Sequence, residues 1–179
     1  MTEIANVYGG ALYDLAKDEN LTEQLLDELK NLAEAFAQEP GFIGLLSSAS
    51  LPKPQRVQVI EDSFRSKIHP YVLNFMKILT EKGYIRHFSG CCKVFRDRYN
   101  ADHGILPVTA VTAVPLSDVL RKKLTDKITT VTGKQIELTC KVDPDCLGGV
   151  RLDYDGKRLD DTVSHRLDSV RGLLKNTVL

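Results

Sequence analysis

Residues 88–114 read FSGCCKVFRDRYNADHGILPVTAVTAV, and the hydrophobic period changes within this stretch. Its first half has apolar or aromatic residues at the helical steps of four, three and four: Phe88, Cys92, Phe95 and Tyr99. After Gly104 the spacing becomes alternating and β-branched residues are frequent, which favours a strand. We therefore expect a boundary at residues 100–104, between a helical N-terminal domain and a C-terminal domain that contains a sheet.

Helical spacing continues from this boundary back to the N-terminus. The first helix is predicted from one apolar stripe: Ile4, Val7, Tyr8, Ala11, Leu12 and Leu15. Asn20 is expected to cap the second helix, with Glu23 completing a capping box. Two more helices follow before Pro70 opens the fifth and Gly83 ends it. The fifth is apolar on more than one face, which is typical of a helix at the centre of a bundle or against a partner. Residues 1–104 are thus predicted to form a six-helix bundle.

Beyond the boundary, the order strand, helix, strand, hairpin, helix predicts a smaller α/β domain at residues 105–179. Ser117 is placed to cap the helix after the first strand. The pair Asp155-Gly156 is a strong hairpin signal. Thr162 or Asp161 is expected to cap a final helix, whose apolar positions are Val163, Leu167, Val170 and Leu174. The fold class is therefore α+β with two domains.

The charge balance limits the kinds of partner. The 179 residues contain 24 Lys and Arg and 24 Asp and Glu, which argues against a dedicated nucleic-acid binder. Residues 1–39 nevertheless carry a net charge of −7, which favours a partner with basic character there. No stretch approaches the roughly 20 apolar residues of a membrane span. The N-terminus lacks the pattern of a signal or transit peptide, so we expect the chain to work in the compartment where it is made.

Residues that carry chemistry are present but scattered. The cysteines do not have zinc-site spacing, and the aspartates after residue 142 do not follow a calcium loop. Gly148-Gly149 lacks the phosphate-loop pattern and precedes a strand. We therefore expect no catalytic, cofactor-binding or metal-binding residues. A small hydrolase has only isolated His and Asp residues in its favour.

Five segments in order resemble the delta subunit of F-type ATP synthases, called in mitochondria the oligomycin-sensitivity-conferring protein. Residues 8–16 (YGGALYDLA) are similar to the opening Y-A-x-A-L-F-x-x-A helix, and residues 74–85 (NFMKILTEKGYI) to N-F-L-x-x-L-x-x-x-x-R-L. Residues 111–117 (VTAVPLS) are similar to V-x-S-A-x-P-L-S. Residues 142–150 (VDPDCLGGV) and 160–167 resemble V-D-P-x-L-I-G-G-V and I-D-G-S-V-x-x-R-L. The matching positions of these last two motifs are Asp143, Leu147, Gly148, Gly149, Asp160, Val163 and Arg166. Four sites depart from the pattern: Gly9-Gly10, Tyr84, Cys146 and Asp161-Thr162.

The resemblance implies a non-catalytic subunit of the peripheral stalk, which holds the catalytic head against rotor torque during proton-driven ATP synthesis. In the family, a groove between helices one and five binds the N-terminal helix of an alpha subunit. The C-domain engages the C-terminal end of the b-type stalk helices, so contact with the membrane is only indirect. The residues expected to bind the alpha helix are Tyr8, Ala11, Leu12, Leu15, Phe75, Met76 and Leu79, and some of these are expected to be core instead. The cytoplasmic face of a bacterial membrane is favoured over an organellar origin. The alternative is a free-standing cytoplasmic module that binds another helix in the same groove.

Overall fold

A computed structural model describes residues 2–48, 51–165 and 167, and the chain divides into two compact units, Met1–Tyr99 and Asn100–Leu179. Each unit is built from a different kind of secondary structure. Helices dominate the first, and a four-stranded sheet organises the second. The chain is thus of the α+β class.

In the described part of the first unit the helices run consecutively along the chain. Their bounds are α1 Glu3–Asp18, α2 Thr22–Gln38, α3 Pro40–Ser47, α4 Lys53–Phe64, α5 Pro70–Glu81 and α6 Phe88–Asp102. Residues 100–102, at the end of α6, already belong to the second unit. A 3-10 turn, Ile85–His87, leads into α6. One hydrophobic cluster draws on every one of these elements. Phe36 of α2 lies near its centre, with ring centroids 5.1 Å from Phe88 and 5.5 Å from Phe42.

Helix α5 begins and ends where the sequence predicts. Pro70 occupies its first turn, where a missing N–H costs nothing. Gly83 follows its end with φ +77, and Tyr84 N–H donates to the Leu79 carbonyl at 2.7 Å in a Schellman motif. Six of its residues are buried: Val72, Leu73, Phe75, Met76, Leu79 and Thr80. The helix is therefore largely buried, which agrees with the first of the two alternatives that its apolar composition left open.

The predicted capping box at Asn20 is wrong. Helix α2 begins at Thr22, and no side chain caps it. Asn20 instead has φ +57, and Leu21 N–H donates to the Ala16 carbonyl at 2.8 Å. This conformation and this hydrogen bond are those of a Schellman motif, which ends α1. Asparagine is tolerated there because it adopts the left-handed conformation more readily than most residues.

Small residues bring α1 and α6 close together. A Cβ placed on Gly9 would lie 2.5 Å from the carbonyl oxygen of Cys91, and one on Gly90 would lie 3.1 Å from the Ala5 Cβ. No side chain fits between two backbones this close. Gly9, which departs from the family alanine, is therefore required by its contact with α6.

The second unit has the strand order β2-β1-β3-β4, with β1 Ile105–Thr112, β2 Gln135–Val142, β3 Val150–Tyr154 and β4 Lys157–Asp160. Helix α7, Asp118–Thr132, connects the parallel pair β1 and β2. Strands β3 and β4 form the predicted hairpin, in which Tyr154 pairs with Lys157. Asp155 and Gly156 both have positive φ, as a two-residue turn between twisted strands requires.

The central position of β1 explains its apolar character. Its buried residues fall on both faces of the sheet: Val108, Ala110, Val111 and Thr112. The Ser117 side chain accepts a hydrogen bond from Leu120 N–H at 3.4 Å and caps α7, as predicted. Thr162 accepts one from His165 N–H at 3.3 Å, and residues 163–165 are helical, so Thr162 is the cap expected for the final helix. Val170 and Leu174 of that prediction lie outside the described residues.

Candidate interaction surfaces

Helix α1 has two adjacent apolar faces, of which one is buried and the other is exposed. The buried residues of the helix are Ala5, Gly9, Gly10, Leu12, Tyr13 and Ala16. Val7, Ala11 and Leu15, spaced four residues apart, are exposed, with Val7 at 61% and Leu15 at 40%. Residues four apart lie on one side of a helix, so these three form a continuous exposed apolar strip. We call Val7, Ala11 and Leu15 the α1 strip.

The residues predicted to bind a partner fall into two groups. Leu12, Phe75, Met76 and Leu79 are each at most 6% exposed and belong to the hydrophobic core. Their side chains offer no surface to a partner, so for these four we correct the expectation from interface to core. Ala11 and Leu15 lie on the α1 strip, and Tyr8 is half-buried beside it.

Tyr8 joins α1 to the turn that follows α5. Its ring centroid lies 5.9 Å from that of Tyr84 in an edge-to-face contact. Ile78 of α5, six residues before Tyr84, is 45% exposed. Sequence reasoning did not select Val7, Ile78 or Tyr84 as partner-binding residues. The four-residue spacing of Val7, Ala11 and Leu15 is the sequence signal that would place Val7 on the same face as the other two.

Acidic residues surround the α1 strip. Glu3, Asp14 and Asp18 are exposed on the same helix. Asp14 pairs with Arg98 of α6 at 2.8 Å, but both side chains are largely exposed, so the pair contributes little to stability. An apolar strip with acidic neighbours suits an amphipathic helix that carries basic residues.

In the second unit, the two family motifs that are distant in sequence meet at one end of the sheet. Val163 N–H donates to the Gly148 carbonyl at 3.0 Å, and Asp161 N–H donates to the Val150 carbonyl at 3.2 Å. Gly149 has φ +81, and a Cβ there would lie within 2.4 Å of the Asp161 carbonyl oxygen. Glycine is thus needed at position 149 both for its backbone conformation and for this close approach.

Side chains of the same motifs fix the two loops. The Asp143 carboxylate accepts a hydrogen bond from Asp145 N–H at 3.2 Å and starts the 3-10 turn Pro144–Cys146. The Asp160 carboxylate accepts one from Thr162 N–H and another from the Thr162 hydroxyl, which hold its pKa below the ordinary value. Asp143 and Asp160 therefore shape the loops. Arg166 lies outside the described residues.

Leu147 and Val163 of these motifs are exposed. Leu147 is 66% exposed and has φ +60, and Val163 is 43% exposed. The residue that precedes each of them is buried: Cys146 is 4% exposed and Thr162 is 3% exposed. The motifs thus bury small side chains and leave two apolar ones at the surface.

The cysteines are free thiols, and the first two are chemically quiet. Burial raises the pKa of Cys91 to about 11 and raises the pKa of Cys92 as well. Thiols with raised pKa values are poor nucleophiles because the thiolate is scarce. Across the part of the chain that the structure describes, no three His, Cys, Asp or Glu side chains form a group able to hold a metal ion.

Within residues 2–48, 51–165 and 167, no helix has the length and apolar character needed to cross a membrane.

Comparisons with known proteins match nearly the whole chain to a single family. The model of the ATP synthase delta (OSCP) subunit family matches residues 4–174. The ATP synthase subunit delta of Lactobacillus delbrueckii subsp. bulgaricus is 32% identical, with 96% of each chain covered. That of Clostridioides difficile is 27% identical, covering 98% of this chain and 97% of the relative.

Among solved structures, a chain of the Toxoplasma gondii mitochondrial ATP synthase is similar in fold. The TM-score is 0.73, with 97% of this chain and 98% of that chain covered and 21% sequence identity. From the match of the family model and these relatives, we conclude that the chain belongs to the ATP synthase delta (OSCP) subunit family, the non-catalytic peripheral-stalk subunits of F-type ATP synthases.

Proposed function

We propose that the chain connects the catalytic head to the peripheral stalk through two separate surfaces, one on each unit. The α1 strip binds the N-terminal helix of an alpha subunit, and the C-terminal unit binds the C-terminal end of a b-type stalk subunit. The connection resists rotor torque, so proton flow drives ATP synthesis instead of turning the head. The exposure of Val7 and Leu15 on an otherwise well-packed helix is the observation that carries the proposal.

Apolar contact supplies most of the affinity at the α1 strip. Burying exposed aliphatic surface is favourable at about 25 cal/mol per Å². Tyr8 packs edge-to-face against Tyr84 in the turn after α5, and Ile78 adds an exposed apolar side chain on α5 itself. This arrangement supports a groove bounded by α1 and α5. The acidic neighbours select a basic partner and speed its encounter.

The proposed domain limits are 1–104 and 105–179, with residues 1–104 acting as a six-helix bundle. One core shared by α1 to α6 supports the bundle, since a single packed core transmits force as a rigid body. The proposed location is the cytoplasmic face of a bacterial membrane, with contact to the membrane only through the rest of the complex.

Substitution of Val7 by Asp tests the alpha-helix site. We expect Val7→Asp to weaken binding of a peptide with the alpha subunit's N-terminal sequence by about tenfold or more. The bound peptide would bury the carboxylate introduced at position 7 without a partner. Val131→Asp is the matched control, since Val131 is an exposed helical valine in the other unit. Titration calorimetry with both full-length variants measures the difference.

Equal affinity for the folded Val7→Asp variant would refute the α1 strip as the site. Co-purification separates the stalk role from the free-standing helix-binding module. A pull-down that recovers neither alpha nor b-type subunits would favour the module.

A further inference from the structure

Strand β2 is a long, regular strand at one edge of the sheet. It has eight residues, Gln135–Val142, contains no proline, and pairs with β1 residue for residue without a bulge. No other strand of the described residues pairs with its second side. The opposite edge of the sheet differs, because β4 has only four residues, Lys157–Asp160, and begins with two basic ones. Short, charged edge strands resist pairing with another chain, whereas long and regular ones are prone to it.

The hydrogen bonds to β1 show which backbone groups of β2 face outwards. Gln135 N–H donates to the Gly104 carbonyl at 3.1 Å, and Asp143 N–H donates to the Thr112 carbonyl at 2.9 Å. Successive residues of a strand direct their N–H and C=O groups to opposite sides, so the odd-numbered residues of β2 bond to β1. The residues whose N–H and C=O groups point to the open side are Ile136, Leu138, Cys140 and Val142. We call this open side of residues 135–142 the β2 edge.

Charge selects one register for a second copy that pairs antiparallel along the β2 edge. Hydrogen-bonded pairs must join even-numbered residues, and one register that allows this sets Thr139 opposite Thr139 of the other copy. Glu137 of each copy then lies opposite Lys141 of the other, and both side chains are exposed in the single chain. The next allowed register in one direction sets Glu137 against Asp143, and the next in the other direction sets it against Thr139. Opposite charges across antiparallel strands are favourable and like charges are not, so the register centred on Thr139 is preferred.

The same register also pairs apolar side chains. The even-numbered residues of β2 share one face of the sheet, where Ile136 of each copy lies opposite Val142 of the other, and Leu138 opposite Cys140. Val142 is 51% exposed in the single chain, and the other three are partly exposed. On the opposite face, the two exposed Thr139 side chains meet, and cross-strand threonine pairs are favourable. The β2 edge is therefore complementary to itself in hydrogen bonding, in charge and in apolar contact.

We propose that the β2 edge binds a second copy of this chain, with the two β2 strands antiparallel about a two-fold axis at Thr139, so that the two sheets become one. Each copy uses the same surface, so the contact closes at a dimer. One strand pair is small compared with the roughly 1,200–2,000 Å² of a stable interface, so the dimer is weak and dissociates on dilution. The pairing is independent of the α1 strip and of the stalk role.

An exchange of charges tests the register. Glu137→Lys and Lys141→Glu each replace both ion pairs of the dimer by repulsive pairs, so each weakens association about tenfold or more. The double variant that carries both substitutions restores the ion pairs in reversed order and restores association. Lys53→Glu is the matched control, since Lys53 is an exposed lysine at the start of α4 in the other unit, and it leaves association unchanged.

Sedimentation equilibrium of the full chain over a concentration series measures association, and far-UV circular dichroism checks the fold of each variant. Thr139→Cys gives a second readout that no charge variant affects. Residues directly opposite each other in antiparallel strands approach closely enough for a disulfide, so mild oxidation cross-links this variant into a dimer. Thr129→Cys, at an exposed threonine of α7, stays monomeric under the same conditions.

Three results would overturn the proposal. The first is a chain that stays monomeric at every concentration and whose Thr139→Cys variant does not cross-link. The second is a dimer that the folded Glu137→Lys variant forms equally well, or that the double variant fails to restore. The third is a series of species larger than a dimer, since these would require an open array of edges instead of one closed pair.

Discussion

Gly9 and Gly10 allow the same substitution to be made at adjacent positions of one helix with opposite expected results. Both lie inside α1, where alanine is favoured over glycine by about 1 kcal/mol in intrinsic helix propensity. They differ in what an added methyl group would meet. At Gly9 the nearest atoms are the backbone oxygen and Cα of Cys91, at 2.5 and 3.0 Å. At Gly10 the nearest atom is Nη2 of Arg98, at 2.9 Å.

The backbone of α6 has no way to yield locally, so Gly9→Ala must separate the two helices. An ordinary contact starts near 3.4 Å, so the required movement is about 0.9 Å. Overpacking a well-packed contact typically costs 1–3 kcal/mol, which exceeds the propensity gain. Subtracting the propensity gain of about 1 kcal/mol leaves an expected net loss of up to about 2 kcal/mol, with a decrease in melting temperature of about 2–4 °C for each kcal/mol. The obstructing atoms are mainly backbone, so Cys91→Ala does not rescue the variant.

Gly10→Ala meets only the end of a flexible side chain. Arg98 is 47% exposed and swings away at little cost, since its ion pair with Asp14 is exposed too. We expect this variant to be as stable as the unsubstituted chain, or up to about 1 kcal/mol more stable. Urea denaturation followed by far-UV circular dichroism measures both variants. A Gly9→Ala variant that equals or exceeds Gly10→Ala in stability would refute the close helix contact.

Two further predictions concern single sites. Asn20→Gly should raise the free energy of unfolding by about 0.5 kcal/mol, because glycine relieves the positive φ that ends α1; a loss in urea denaturation would favour the capping-box interpretation instead. The hydrogen bond and charge of Lys77 hold the pKa of Glu61 below its ordinary value of 4.5. This pair therefore stabilises the fold above about pH 4.5, and its contribution is lost as pH falls through the lowered pKa. Lys77→Met should unfold more easily than the unsubstituted chain at neutral pH, and the gap should close in acid; a constant gap from pH 7 to pH 3 would contradict this.

The sequence predicted most elements because their ends carry specific residues. Pro70 and Gly83 bound α5, Ser117 caps α7, and Asp155-Gly156 turns the hairpin. Each of these signals is local: it depends on the backbone conformation of a few neighbouring residues. Such signals can therefore be recognised in the sequence without knowledge of the tertiary structure.

The core face of α1 was not predicted because small residues form much of it. Ala5, Gly9 and Ala16 are buried where α1 and other elements approach closely, and the larger Val7 and Leu15 are exposed. Apolar periodicity is dominated by large side chains. The predicted stripe therefore contained the exposed Val7 and Leu15 together with the buried Leu12. Close helix packing depends on the partner backbone, which the spacing in one helix does not contain. The same limit applies to α5. Its large apolar residues are equivalent in the sequence pattern, and only the tertiary contacts show that Met76 is buried while Ile78 is exposed.

The strained Leu147 was also beyond sequence reasoning. Its motif was recognised, but a positive φ is expected at glycine or asparagine and not at leucine. The loop that contains it is also held by bonds from Asp161 N–H to Val150 and from Val163 N–H to Gly148, which join segments distant in sequence.

The central claim is that one chain holds two partners at once through separate surfaces. Native mass spectrometry of the full chain, mixed with a peptide of the alpha N-terminus and a peptide of the b-type C-terminus, tests it most directly. The account predicts a 1:1:1 complex, from which Val7→Asp removes only the alpha peptide and leaves the b-type peptide bound. Mutually exclusive binding of the two peptides, or loss of both peptides from Val7→Asp, would contradict it.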